Sequence, residues 1–235
     1  MMGKVIMSGI VPKLTYEAPI NGILLSDIAE GSIVYINESG TETPFYVAKH
    51  NYESGLNGNG KTLLLRQKCV TNKKWGSYMG WLDAIGDTSG TPYYLENTYK
   101  ATLPSAVQAL LGTLIYVSNN NKWTLTTCSA KVFTPSLAEY QWSYNDTLAE
   151  GSALPEAPSM RIAYRDIASA KVKHWTRTGK VIEGDDGECE QTVITTSGDA
   201  STLDVNSTYG YVRPCFTLPA TTLFDEDTLT FKGVS

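Results

Sequence analysis

The sequence is short of charge. Only 18% of its 235 residues are Asp, Glu, Lys or Arg, below the quarter or so usual in soluble domains. Thr, Ser, Asn and 20 glycines take their place. Such a weakly ionised polar surface suits β-rich, loop-rich extracellular or virion proteins better than helical metabolic enzymes. Basic residues are scarcer than acidic ones, 19 against 24, and the net charge is −5. Nucleic-acid affinity comes from neutralising phosphates with Lys and Arg, so DNA and RNA are disfavoured as partners. Histidine is nearly absent: His50 and His174 stand alone, and neither lies in a nucleophile or zinc-protease motif. Cys69, Cys128, Cys189 and Cys215 are scattered singly, without a Cys-x-x-Cys pair, which argues against structural zinc. A chain of this size has core enough to do without disulfides, and all four thiols are expected reduced. No run of about 18 apolar residues offers a membrane-spanning helix. The apolar run from Val5 to Val11 is cut off by Pro12 and Lys13; with no small-residue cleavage site after it, no secretory signal is read.

What is present divides into an arm and a body. Residues 1–30 hold two short apolar runs around Pro12, Pro19 and Gly22. They read either as an edge strand of their own domain or as an attachment segment docking into a neighbouring subunit. The body, residues 31–235, is patterned as strands and turns. Ser32 to Asn37 and Pro44 to Lys49 are β-branched and aromatic runs joined by ESGTET, a hairpin-like pair. GLNGNGKT, from Gly55 to Thr62, meets the letter of the Walker pattern. A strand-like run, TLLLRQKCV, overlaps and follows it, where a phosphate loop opens a helix, so the segment is taken as a tight Gly/Asn hairpin. Tyr93 to Lys100 and Pro104 to Leu111 carry helical spacings, with Pro104 placed for a first helical turn. Ser136 and Glu139 have capping-box spacing and predict another short helix. Leu114 to Val117 and Lys131 to Phe133 read as short strands. A few helices among many strands make the fold class α+β.

The C-terminal third carries a resemblance. RIAYRD (Arg161 to Asp166), HWTRTG (His174 to Gly179) and YGYVRPCFTLP (Tyr209 to Pro219) resemble an uncharacterised domain family common in gut bacterial phages and prophages. That family carries a Trp-Leu/Thr-Arg-Ser-Pro motif, a variable stretch and a Val-Arg-Pro-Ala-Phe closing strand. KKWGS (Lys73 to Ser77), LENTYKATLPSAVQ (Leu95 to Gln108) and VFTPSLAEY (Val132 to Tyr140) are similar to its upstream segments. Gly179 stands where a Pro is usual and Cys215 where Ala is preferred. The resemblance implies a tail-associated protein with a C-type-lectin-like body of short strands and a few helices, carried in the virion. It implies a host-surface protein or glycan and neighbouring tail subunits as partners, and leaves a homo-oligomer open. Some similar proteins are rewritten between the two motifs by diversity-generating retroelements. Those elements randomise the adenines of asparagine codons and never yield Glu, Lys or Gln. Val181, Ile182, Gly184, Asp185, Asp186, Gly187 and Cys189 are permitted products, whereas Lys180, Glu183, Glu188, Glu190 and Gln191 are not.

Between the motifs the charge is lopsided. Residues 181–212 hold seven acids, Glu183, Asp185, Asp186, Glu188, Glu190, Asp199 and Asp204, and no Lys, Arg or His. Such a stretch steers cationic ligands or forms a solvated polar loop. Such acids suggest calcium, since hard cations take oxygen ligands, but EGDDGECE lacks the alternation of an EF-hand loop. No cofactor is expected. Acid pairs such as Asp185 with Glu188 lack the fixed separation that glycoside hydrolysis needs, because they sit in a glycine-containing loop, and no enzymatic activity is expected. The 14 tyrosines and 5 tryptophans fit binding, as they do in paratopes. The candidate ligand-binding set is Trp175, Arg177, Lys180, the seven acids and Tyr209. Trp175 offers a large apolar anchor, and Arg177 and Arg213 planar forks; the work expected of these three is structural, as a scaffold around the display surface.

Overall fold

Strand-forming runs separated by glycine and asparagine turns fold as that pattern dictates. The computed structural model describes residues 22–119, 124–167, 169–180 and 189–234. In chain order its strands are β1 (Ile23–Leu24), β2 (Ile33–Glu38), β3 (Thr41–Lys49), β4 (Lys61–Arg66), β5 (Thr113–Asn119), β6 (Thr124–Ala130), β7 (Ala163–Tyr164), β8 (Lys171–Val172), β9 (His174–Gly179), β10 (Glu190–Ile194), β11 (Ala200–Asp204), β12 (Cys215–Pro219), β13 (Thr222–Phe224) and β14 (Phe231–Val234). Short helices such as Ser54–Asn57, Trp81–Ala84 and Ser105–Leu110 lie between them. The fold is mixed α+β, with short, mostly antiparallel strands and few short helices.

The central sheet has the order β12-β4-β3-β2. All of β4 after Lys61 is buried, as a strand covered on both faces must be, and its Leu63, Leu64 and Leu65 sit in the core. The edge strand β2 alternates instead, sending Val34 and Ile36 inward. Its connection to β3 is tighter than ESGTET implies. Only Ser39 and Gly40 lie outside the strands, both with positive φ, 50° and 94°, the backbone of a two-residue hairpin turn. Asn37 Oδ1 accepts from Gly40 N at 2.7 Å and locks it.

GLNGNGKT is not a hairpin. Ser54–Asn57 forms one helical turn, and Lys61 opens β4 with its ammonium donating to the Gly112 carbonyl at 3.1 Å. The segment therefore lacks the helix that a phosphate loop opens. Downstream, Thr91 to Thr102 is continuously helical but passes from α through a π turn to 3-10. Leu95 and Tyr99 fall on its buried side, at the four-residue spacing read from the sequence. Pro104 is the N-cap of Ser105–Leu110, one residue outside the predicted first turn.

Two predicted elements do not form. Ser136 and Glu139 make both reciprocal bonds of a capping box: Ser136 N donates to Glu139 Oε2 at 2.8 Å, and Glu139 N to Ser136 Oγ at 3.0 Å. Yet residues 137–140 make only a turn, ended at Gln141, whose φ is 57°. The predicted strand Lys131 to Phe133 shrinks to one bridge, with Phe133 and Cys215 exchanging backbone bonds of 2.9 and 2.7 Å.

Of the N-terminal arm, residues 1–21 lie outside the described residues. Residues 22–30 pack on the body: β1 pairs with β13, and Leu25 and Ile28 enter the core. The four cysteines are free. Burial pushes the Cys69 thiol up to about 12 and the Cys128 thiol to about 11, so neither is a ready thiolate. Among the described residues no helix is long and apolar enough to cross a membrane.

Candidate functional site

Both motif arginines are core residues. Every residue of β9 is buried, and Trp175 and Arg177 are fully so. All five guanidinium N–H groups of Arg177 are used. Nη1 and Nη2 clamp the Glu139 carboxylate with 2.7 Å bonds, while the carbonyls of Tyr116, Thr134 and Glu150 take the other three at 2.9, 3.1 and 3.1 Å. Glu139 also accepts from Tyr52 Oη at 2.6 Å. Burial is the largest single influence and opposes a charge on Arg177, but the fields of Glu139, Tyr52 and Glu150 and the Glu139 hydrogen bonds together outweigh it and hold the guanidinium protonated.

A second carboxylate closes this centre. Glu150 accepts from Ser118 N at 2.6 Å and from Thr178 Oγ1 at 3.2 Å, with Arg177 Nε 3.8 Å away. Desolvation outweighs that cation, and the Glu150 carboxyl is pushed up to about 7. Arg213 has no carboxylate among its described partners. Its guanidinium donates to the carbonyls of Arg66 and Gln67 at 2.9 and 3.1 Å, to the Met160 carbonyl and to Tyr140 Oη at 3.4 Å. Neighbouring His174 is held neutral, first by burial and then by the Arg213 charge. Trp175 and Arg177 thus present no atom to a ligand and take the scaffold role.

An aromatic layer joins this floor to the surface. The Trp75 ring lies 6.0 Å from Trp175 and 6.3 Å from Trp81. Trp175 Nε1 donates to the Lys73 carbonyl at 2.8 Å, and Trp75 Nε1 to the Gly80 carbonyl at 3.1 Å. Gly210 crosses directly over the Trp175 indole, where a Cβ would collide with the ring. The segment around 72–80 is laced to 205–210 by Lys73 N to Gly210 O at 3.1 Å, Trp75 N to Val205 O at 2.8 Å and Asn72 Nδ2 to Thr208 O at 3.1 Å. Gly80 N donates to Gln191 Oε1 at 2.8 Å and ties the first loop to β10. On these clamped loops Tyr78 and Tyr209 stand 60% and 79% exposed.

The other predicted residues sort by position. Lys180 and Glu190 pair at 2.6 Å across the ends of β9 and β10, so they close a stem. Glu183, Asp185, Asp186 and Glu188, with most of EGDDGECE, lie outside the described residues. Asp204 is directly opposite Glu190 in the β10–β11 register, and its Oδ1 accepts from Asn206 N at 2.7 Å to fix the next turn. Asp199 sits in the hairpin turn at the far end of the same strands, accepting from Ser197 Oγ at 2.6 Å, about 15 Å away at strand rise. The acids among the described residues therefore do not form one patch. Nor is there, among the described residues, a group of three or more His, Cys, Asp or Glu placed to hold a metal ion.

Sequence reasoning missed Tyr78, Trp75, Trp81, Glu139 and Glu150 as parts of this assembly. Gly76 and Gly80 on either side of Tyr78 were the available signal, since Gly76 packs against Ala84 too closely to admit a Cβ. No curated protein and no solved structure matches the chain. The model of a family described as a domain of unknown function, DUF6273, matches residues 59–220, a span holding Arg177, Glu139, Glu150, Arg213 and both tyrosine loops, and the chain belongs to that family.

Proposed function

We propose that the protein is a non-enzymatic, phage tail-associated ligand-binding protein. On this reading a lectin-like body presents the Tyr78 and Tyr209 loops, together with the stretch opened by Lys180 and Glu190, to a host-surface protein or glycan. The observation that carries the reading is the pairing of exposed and immobilised parts. Two exposed tyrosines ride on loops fastened to a buried tryptophan layer, which supplies large contact area at low ordering cost. The tail and virion setting, and the lectin-like character of the body, rest on the resemblance of the HWTRTG and VRPCF segments. The chemistry of the buried groups favours binding over catalysis. Glu139 is committed to Arg177, Glu150 is sealed in the core, and His50 is held by Thr62 Oγ1 and the Ile28 carbonyl, both at 2.9 Å.

The test is an array of host-cell glycans and surface proteins, probed with the full chain and with a chain whose residues 180–190 are replaced by Gly/Ser. Signal that falls on replacement, and falls again with Tyr78→Ala/Tyr209→Ala, supports the reading. No signal, or signal indifferent to both changes, favours a purely structural virion subunit whose loops meet only neighbouring subunits.

A further inference from the structure

Past the end of β4 the chain carries Gln67 and Lys68 between two adjoining clefts, and Lys68 lines both. The first cleft, about 450 Å³, contains Glu38, Glu42, Arg66 and Asp166. Its arginine is already satisfied: Arg66 pairs with Glu38 at 2.9 Å and Asp166 at 2.8 Å, and donates to the Lys68 carbonyl at 2.8 Å. Tyr99 Oη donates to Glu38 as well. That side of Lys68 is rich in carboxylate, and its arginine is fully engaged.

The second cleft is of different chemistry. It measures about 530 Å³ and is lined by Tyr46, Gln67, Lys68, Ser159, Tyr164 and Ser169, with Ile162. Lys68 is its one charged residue, half-buried and outside every ion pair of the described residues. Gln67 Nε2 donates to Tyr46 Oη at 3.4 Å, which leaves the tyrosine O–H and the amide carbonyl of Gln67 for other partners.

We propose that this second cleft binds a sugar unit bearing a single carboxylate. Lys68 supplies one compact point charge, which balances one carboxylate; a phosphate group carries up to two charges and three acceptor oxygens, more than this single cation offsets. Hydroxyls and a primary amide both donate and accept, matching sugar hydroxyls, which do the same. The tyrosine rings and Ile162 give apolar surface for the C–H face of a pyranose. Glu38, Glu42 and Asp166 next door repel a second negative group, so the ligand carries its charge at Lys68 and is neutral beyond it. The cleft shares no residue with the Tyr78/Tyr209 face, and the inference does not rest on that reading.

The experiment is calorimetric titration of the full chain with a uronic-acid disaccharide, its neutral counterpart and inorganic phosphate, with thermal melts confirming that each variant folds. Saturable binding of the uronate, at least about tenfold tighter than the neutral sugar, is expected. Lys68→Met abolishes that preference, Lys68→Arg retains it, and Tyr164→Ala weakens both sugars. The Tyr78→Ala/Tyr209→Ala chain binds the uronate normally, so failure of one proposal leaves the other standing. No binding of the uronate, an unchanged affinity in Lys68→Met, or equal binding of inorganic phosphate overturns the inference.

Discussion

Beneath the candidate face, Trp175, Arg177 and Arg213 are fully buried and hydrogen-bonded within the protein, whereas on it Tyr78 and Tyr209 stand in solvent. The two layers are in contact, since Gly210, next to Tyr209, lies on the Trp175 ring. Their difference separates two demands on one sequence. The floor needs residues of fixed shape and charge, because a buried guanidinium without its carboxylate or carbonyls is costly. A binding face of the kind proposed needs only loops held still. A recognisable motif therefore marks the floor, and the residues free to meet a ligand leave almost no signature.

The floor is most vulnerable at Arg177. Replacing it by Met strands the Glu139 carboxylate in the core and is expected to cost about 3–5 kcal/mol in urea denaturation. Arg177→Met/Glu139→Leu recovers much of that, because both charges leave together. If Arg177→Met were neutral, the floor would not be a structural pin.

Glu150 sharpens the same point through pH. Its carboxyl, pushed up from an ordinary 4.5 to about 7, keeps a proton in the folded chain that the unfolded chain releases. The stabilisation is complete below pH 4.5 and is lost as pH rises to about 7, on the order of 3 kcal/mol in all. Glu150→Gln removes this share of the pH dependence. The stability difference between the two proteins, measured across that window, should shift in favour of the variant as pH rises and level off above it.

Gly210→Ala forces a methyl against the Trp175 indole and should cost about 1–3 kcal/mol, read as a lower urea midpoint. The smallest effect is expected on the face itself. Tyr78→Ala and Tyr209→Ala should each leave stability within about 0.5 kcal/mol, since neither ring is part of the core.

Much of the floor was legible in the sequence and little of the face. The strand pair around Ser39–Gly40, the buried β4 and the two helical segments read at Tyr93 to Lys100 and Pro104 to Leu111 follow from apolar spacing and turn residues. The capping box at Ser136 and Glu139 was legible as hydrogen bonding and misleading as a helix. Its glutamate is also the partner of Arg177, and that tertiary contact lies 38 residues away in sequence, beyond any local rule. The run of acids between the motifs read as one surface because sequence distance hides strand direction. Antiparallel pairing sets Glu190 beside Asp204 and carries Asp199 to the opposite end. Tyr78 is not legible in the sequence, because an exposed tyrosine carries no periodic signal and only the flanking glycines mark its loop as packed.

On the proposed reading, a buried floor holds a binding face with which it shares no function. The measurement that meets it most directly is the Tyr78→Ala/Tyr209→Ala chain, followed side by side in urea denaturation and on the host-surface array. An unchanged denaturation midpoint with the array signal lost is the predicted result. A signal equal to that of the unaltered chain would contradict the claim.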